Sequence, residues 1–439
     1  MLSLLYLLAN AGKFAPTDTT RKISSKPTHG SNIHYDIIPS SPSYAQESFH
    51  IRPPVAPGTS VGDLETTPLL FKPIIIKGLH MANRVIVAPM CQFSSRDGFM
   101  TDYHLVHLGS FAIHGAALVV AEATAVEPRG RISPADTGIW SDDHIPAIKR
   151  VADFIHAQGS KMGIQLGHAG RKARSICLRA LASTKAPFNP EVFSETEYWP
   201  HDVVGPSGGP DFQWDEKHIV PRELSIDEIQ EIVKAFGAAT VRAEKAGMDT
   251  VEIHGAHGYL IHNFLSPISN QRTDKYGGSL ENRARFMLEV VKEVCANFPS
   301  EKPVILRISA SDCVEHLNIP SFDVEQAVQV SKWAKDAGID IIHVSSAGNT
   351  ALQKVAYSPG YQVHYAERIR KGVPGVVVAA VGSITNGIQA QEILEQGKAD
   401  LIAAARVFLK YPSFALEAAR ELDVPVSYTL QYSAAKSVH

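Results

Sequence analysis

The sequence predicts a closed (β/α)8 TIM barrel, and three observations carry that prediction. Eight short apolar segments recur, each followed by a loop and an amphipathic stretch. The segments are near-continuous runs of Val, Ile and Ala, which suits parallel strands covered on both faces. Proton-handling side chains cluster directly after one of them, where strands give way to loops and barrel enzymes keep their catalytic groups.

The first four strands are expected at 84–90 (RVIVAPM), 117–122 (ALVVAE), 161–166 (KMGIQL) and 249–254 (DTVEIH). The last four are expected at 303–308 (PVILRI), 339–345 (IDIIHVS), 375–381 (GVVVAAV) and 399–405 (ADLIAAA). A doubly wound open sheet is the alternative, but no G-x-G-x-x-G follows any strand. Between the strands, Ser225 to Glu228 form a capping box. Ile226, Ile229, Ile232, Val233 and Phe236 follow at helical spacing, and Gly247 suits the stop. Helices are also expected from Ser279, over 322–338 and over 388–397.

Three segments fall outside the repeat. Residues 1–67 are rich in Ser, Thr and Pro without a sustained period, and read as a disordered N-terminal extension. The barrel domain is expected over 68–425, with a tail over 426–439. Residues 172–224, after the third strand, are too long for an ordinary connection and read as a lid insertion over the barrel mouth.

Composition excludes several classes. A net charge of −3 with dispersed basic residues argues against nucleic acid and anionic membrane as partners. No apolar run reaches the 18 or more residues of a membrane span. Cys91, Cys177, Cys295 and Cys313 show no C-x-x-C pair, so neither a zinc ribbon nor an iron–sulfur cluster is suggested. So few cysteines fit a reducing compartment, and the expected location is cytoplasmic. Arg21 and Lys22 in an acid-poor segment leave a mitochondrial presequence open.

The stretch most charged with chemistry is 249–283, DTVEIHGAHGYLIHNFLSPISNQRTDKYGGSLENR. His254, His257 and Tyr259 follow its strand within six positions. Satisfying buried backbone groups would explain one such histidine; the trio points to a reaction site. The other strand ends supply Ala88-Pro89-Met90-Cys91, Ala123, Gln165, Arg307, Gly382, and Ala405-Arg406. No acidic cluster suited to a metal or to paired-carboxylate chemistry lies among them. Gly382 to Thr385 with Arg406 matches the phosphate site of many barrels, where small residues let backbone N–H groups approach an anion. Gln165 and Arg307 could then meet the polar edge of a flat heteroaromatic ring.

Six segments resemble the old yellow enzyme family of flavin mononucleotide oxidoreductases, in the branch carrying a cysteine after the first strand. They are NRVIVAPMCQFSS, GIQLGHAGRKA, EIHGAHGYLIHNFLSPISNQRTDKYGGSLENR, RISASD, SPGYQVHYAERIR and AAVGSIT, and the resemblance runs from Phe71 to about Leu422. It implies that Ala88, Pro89, Met90, Cys91, Ala123, Gln165, Arg307, Gly382, Ala405 and Arg406 hold FMN. It implies that NADPH or NADH is the hydride-donating co-substrate. The substrate is then a small enone or enal whose carbonyl oxygen binds His254 and His257. Hydride from flavin N5 reaches the β-carbon and Tyr259 protonates the α-carbon. Two fixed donors would stabilise charge growing on the carbonyl oxygen more than they stabilise the ground state. Cys91 matches the thiol that tunes the flavin in that branch.

Two departures stand out. Phe93 occupies a position where the branch often has Tyr. Relatives whose tail enters a neighbouring subunit's site carry an Arg there, whereas Gln431-Tyr432 is followed here by Ser433-Ala434-Ala435-Lys436. Sites shared across a dimer are therefore not expected, although a homo-oligomer remains open. The competing readings are a metal-dependent barrel hydrolase using His254 and His257, and a barrel that keeps flavin without catalysis. The long lid favours a substrate from specialised-metabolite biosynthesis.

Overall fold

The computed structural model describes residues 55–173, 202–216 and 218–437. Strands β1 (Val85–Val87), β2 (Leu118–Ala125), β3 (Lys161–Gly167) and β4 (Thr250–Gly255) are followed by β5 (Val304–Ser309), β6 (Ile341–Ser345), β7 (Val377–Ala380) and β8 (Leu401–Ala404). They close into one barrel in sequence order, each parallel to its neighbours, with β8 returning to β1. All eight lie where the apolar runs place them.

Among the described residues, eight helices form the outer ring. They are α1 (Asp102–Ile113), α2 (Ile145–Ala157), α3 (Ile226–Lys245), α4 (Leu280–Asn297), α5 (Val324–Asp336), α6 (Val363–Gly372), α7 (Gly387–Glu395) and α8 (Phe414–Glu421). Helix α3 opens on the expected capping box: Glu228 N–H donates to Ser225 Oγ at 3.2 Å, and Ser225 N–H to Glu228 Oε2 at 2.8 Å. Its apolar positions, Ile229, Ile232, Val233 and Phe236, are buried against the barrel. Gly247 takes φ +89° just past the end, a conformation that only glycine adopts at no steric cost.

The barrel interior has two levels. Ile86, Leu118, Val120, Ile305, Ile341, Leu401 and Ala403 fill its lower part. An antiparallel hairpin, 74–76 with 79–81, adds Ile76, Leu79 and Met81 to the same cluster and plugs the end where strands begin. Above this apolar floor the inward side chains turn polar, and the chemistry starts there.

Residues 55–67, read from composition as the end of the extension, belong to the packed body. Gly58 N–H donates to the Ser427 carbonyl at 2.9 Å, Asn83 Nδ2 donates to the Gly58 carbonyl at 3.1 Å, and Ser60 bridges Val426 antiparallel. An extended segment satisfied by one partner chain has no need of a hydrophobic period, so the pattern hides it. Residues 1–54 and the central part of the lid, 174–201 with Cys177 and Trp199, lie outside the described residues. The return limb of the lid insertion is described. Val204–Gly205 pairs parallel with Arg222–Glu223, and Arg129 and Arg222 both bind Asp202.

Candidate active site

Because all eight strands run parallel, their C-terminal ends share one mouth, and every strand-end residue singled out above lies around it. His254 closes β4. Its Nδ1 accepts the Ala256 N–H at 3.3 Å, so a neutral ring carries its proton on Nε2. His257 sits in the following turn with φ +61°, next to Gly258 at +71°. Only glycine fits beside it, since a Cβ on Gly258 would lie 2.2 Å from the Gly348 carbonyl oxygen.

Three neighbours hold His257 in this strained turn. Its N–H donates to Ser309 Oγ at 2.9 Å, its carbonyl accepts from Lys172 Nζ at 2.8 Å, and its Nε2 meets Ser345 Oγ at 2.7 Å. When Ser345 donates to Nε2, the imidazole keeps its proton on Nδ1. The His254 ring stands edge-on to both His257 (5.1 Å) and Tyr259 (4.8 Å). Burial, with the positive charge of Arg307, pushes both imidazoles well below their ordinary pKa, so both are neutral donors at pH 7. Burial likewise pushes the Tyr259 phenol well above its ordinary value, with Cys91 and Asp136 adding to the shift.

Tyr259, Cys91 and Ala123 pack into one small apolar cluster with Ile132, Ala169, Ala173 and Val203. Ala123 is turned there by an irregularity in β2, where the register with β3 slips between Ala121 and Ala123. Burial raises the Cys91 thiol well above its usual range, and Asp136 and Glu122 raise it further, so it stays protonated. Asp136, also buried, titrates at about 7 because burial outweighs its bonds from Ile132 N–H and Ser133 Oγ. It lines a cavity with His168, His254 and Tyr259.

Behind the mouth lies a buried polar layer. Gln165 Nε2 donates to Glu252 Oε1 at 2.5 Å, and His343 Nδ1 meets Glu252 Oε2 at 2.8 Å. Arg307 pairs in register with His254 on one side and His343 on the other. Its guanidinium is buried, yet Nε has no hydrogen-bond partner among the described residues. An orphaned buried donor of that kind costs about 1–3 kcal/mol and calls for an acceptor. A flat ring edged with carbonyl oxygens and ring nitrogens would supply one, so Arg307 and Gln165 fit the polar edge of a flavin.

At the opposite rim Gly382 (φ +125°) and Ser383 (φ +51°) take successive left-handed conformations, which turn the chain sharply after β7. The Gln362 side chain packs so close to Gly382 that a Cβ would sit 2.4 Å from its Cγ. Ala405 precedes the short helix Arg406–Lys410, and Arg406 is exposed at its start. Ala88 anchors this rim to β1 by donating its N–H to the Ala404 carbonyl at 2.8 Å.

Several residues of the mouth were not singled out from the sequence: Glu252, His343, Asp136, Lys172, Ser345 and Gln362. Glu252 and His343 did leave a signal, since each is a titratable residue inside a fully buried strand. Lys172 left none. Its ammonium lies 3.7 Å from the centre of the Trp214 ring on the lid's return limb. Burial, then Arg171, lowers its pKa to about 7.

The fold and the mouth together define a (β/α)8 barrel enzyme. Residues 69–424 match the model of the NADH:flavin oxidoreductase / NADH oxidase family. The chain is 43% identical over 368 residues to an NADPH dehydrogenase of Bacillus pumilus, covering 83% of this chain and 98% of that one. A solved morphinone reductase in complex with tetrahydroNAD superposes with a TM-score of 0.64 at 27% identity, covering 82% and 93% of the two chains. A 2-naphthoyl-CoA reductase complex shares the fold with a TM-score of 0.70 at 24% identity, but this chain spans only 53% of its length. The chain therefore belongs to the NADH:flavin oxidoreductase family, the old yellow enzymes. It is an oxidoreductase of the NADPH dehydrogenase type, with FMN as cofactor and a nicotinamide dinucleotide as co-substrate. Membership leaves the hydrolase reading without support. Among the described residues, moreover, no three of His, Cys, Asp or Glu gather as metal ligands, and no helix is long and apolar enough to cross a membrane.

Proposed function

We propose that this protein is an ene-reductase, which uses NADPH or NADH to reduce the C=C bond of small α,β-unsaturated carbonyl compounds. The observation that carries the proposal is the edge-on cluster of His254, His257 and Tyr259 at the end of β4. Gln165 and Arg307 would hold the polar edge of the ring system. Gly382, Ala405 and Arg406 would hold the phosphate, and Ala88 to Cys91 with Ala123 would flank the rest. FMN, when bound, supplies hydride to the substrate's β-carbon after accepting it from the nicotinamide.

The residues of the chain do the remainder. His254 and His257 each offer an N–H to the substrate carbonyl oxygen. Negative charge grows there as the β-carbon gains hydride, and donors already aimed at that oxygen stabilise it without reorganising. Their neutrality matters, because a permanent cation would also grip the ground state. Tyr259 then gives its phenolic proton to the α-carbon as general acid. Cys91, held as a thiol, packs beside Tyr259 as an uncharged wall. Trp214, on the return limb of the insertion after β3, is seated on Lys172.

The test is a spectrum of purified protein, followed by anaerobic NADPH and then 2-cyclohexenone. The expected result is a flavin band that bleaches with NADPH and returns with the enone. A protein that bleaches but is not reoxidised by any enone overturns the ene-reductase reading.

A further inference from the structure

Four strands bring the inward side chains Gln165 (β3), Glu252 and His254 (β4), Arg307 (β5) and His343 (β6) into one polar layer. Gln165 is the register partner of Glu252, and Arg307 is the register partner of both His254 and His343. Glu252 is 1% exposed, and the donors it meets are an amide and an imidazole. Burial alone would raise its carboxyl, but His343 and Arg307 hold it below the usual range, so it is an anion. His343, whose pKa burial lowers, is the neutral partner. A buried carboxylate without a directly bonded cation is costly, and a neutral residue of similar shape would satisfy the same packing more cheaply. The charge itself therefore calls for a function.

We infer that Glu252 is a positioning and charge-setting residue of the flavin seat: it fixes which end of the Gln165 amide faces the mouth, and it offsets the charge of Arg307. The inference rests on the reading that Gln165 and Arg307 hold FMN. A carboxylate only accepts hydrogen bonds, so it captures the Gln165 amide by its Nε2 and leaves Oε1 as the atom presented. A free amide would be able to turn either end. The seat then offers an acceptor from Gln165 and the donors of Arg307, whose Nε has no partner among the described residues. Electrostatically, the anion balances the guanidinium, so the seat does not over-stabilise the more negative, reduced form of the cofactor.

Two substitutions separate the functions. Glu252→Gln keeps the shape and removes the charge; Glu252→Leu removes the amide's anchor as well. Each full-length protein is loaded with FMN. The dissociation constant is then measured by flavin fluorescence, and the reduction potential by equilibration with a reference dye. Glu252→Gln should favour reduced over oxidised FMN by about tenfold, which for a two-electron couple is about 30 mV towards the positive. Glu252→Leu should in addition bind oxidised FMN at least about tenfold more weakly, the equivalent of one charge-assisted hydrogen bond.

Wild-type potential and affinity in Glu252→Gln would overturn the inference while leaving the flavin seat intact. A wild-type protein that binds no FMN would overturn the seat itself. Should neither variant fold, His343→Leu serves, because it removes one donor from the carboxylate. Its potential should then show, on top of the ordinary flavin slope with pH, a break where the Glu252 carboxyl takes up a proton, and the same slope as the wild type throughout would again overturn the inference.

Discussion

Ser345, the last residue of β6, meets the His257 ring at 2.7 Å, although 88 residues separate them. The contact ties the His257 ring to the end of β6. Gln362 supports it from the far side: its Oε1 accepts from Ser346 at 2.8 Å, which leaves its Nε2 directed at Ser345 Oγ, 3.5 Å away. The His257 ring is thus held by Ser345 of β6, which is in turn supported by Gln362, the N-cap of α6.

Ser345→Ala should leave His257 in place but without its orienting bond. The loss of one neutral hydrogen bond, about 1 kcal/mol, corresponds to about fivefold in kcat/KM for the enone. Steady-state kinetics with a fixed NADPH concentration checks it, and the rate of flavin bleaching by NADPH should not change.

Tyr259→Phe separates the two halves of the reaction. Loss of a general acid costs about 10²- to 10⁴-fold, and it should fall on reoxidation by the enone alone. Stopped-flow measurement of both halves distinguishes this from damage to the cofactor seat, which would slow bleaching as well. Since burial holds the Tyr259 phenol well above its ordinary value, the wild-type oxidative rate should show no loss from Tyr259 ionisation between pH 6 and 9.

Asp136 makes stability depend on pH. Its carboxyl titrates at about 7 in the folded protein against 3.8 unfolded, so between those values the folded state binds the extra proton. The resulting stabilisation is complete below about pH 4 and is lost as pH rises through about 7, with an upper bound of about 4 kcal/mol. Asp136→Asn should flatten the fall in Tm between pH 5 and 8. A slope identical to the wild type would refute the assignment.

Gly258→Ala tests the catalytic turn. The new Cβ would face the Gly348 carbonyl oxygen at 2.2 Å, in a left-handed conformation that costs about 1 kcal/mol by itself. Stability should fall by about 2–4 kcal/mol, read by denaturant melting, because backbone on both sides must shift. Enone turnover should fall further than FMN affinity, since the turn carries His257 and not the residues proposed for the cofactor.

Much of this was legible in the residues themselves. The eight strands announce themselves because a strand buried on both faces must be apolar throughout, and helices announce themselves by caps such as Ser225–Glu228. His254, His257 and Tyr259 are legible because they are adjacent in the chain, so one strand end carries all three. Residues 55–67 were not legible, since their partner, the segment around Val426, is remote in sequence.

What the sequence alone determined is the barrel, its strand order and the family, because periodicity, caps and contiguous motifs are local properties of the chain. Only the tertiary structure decided how the mouth is wired. Closing the barrel places Glu252 between Gln165 and His343, sets Ser345 against His257, and buries Arg307 with a nitrogen that has no partner among the described residues. It also makes Asp136 a group that titrates near neutrality. Those properties arise from burial and from partners tens of residues away, and neither quantity exists until the eight strands have closed.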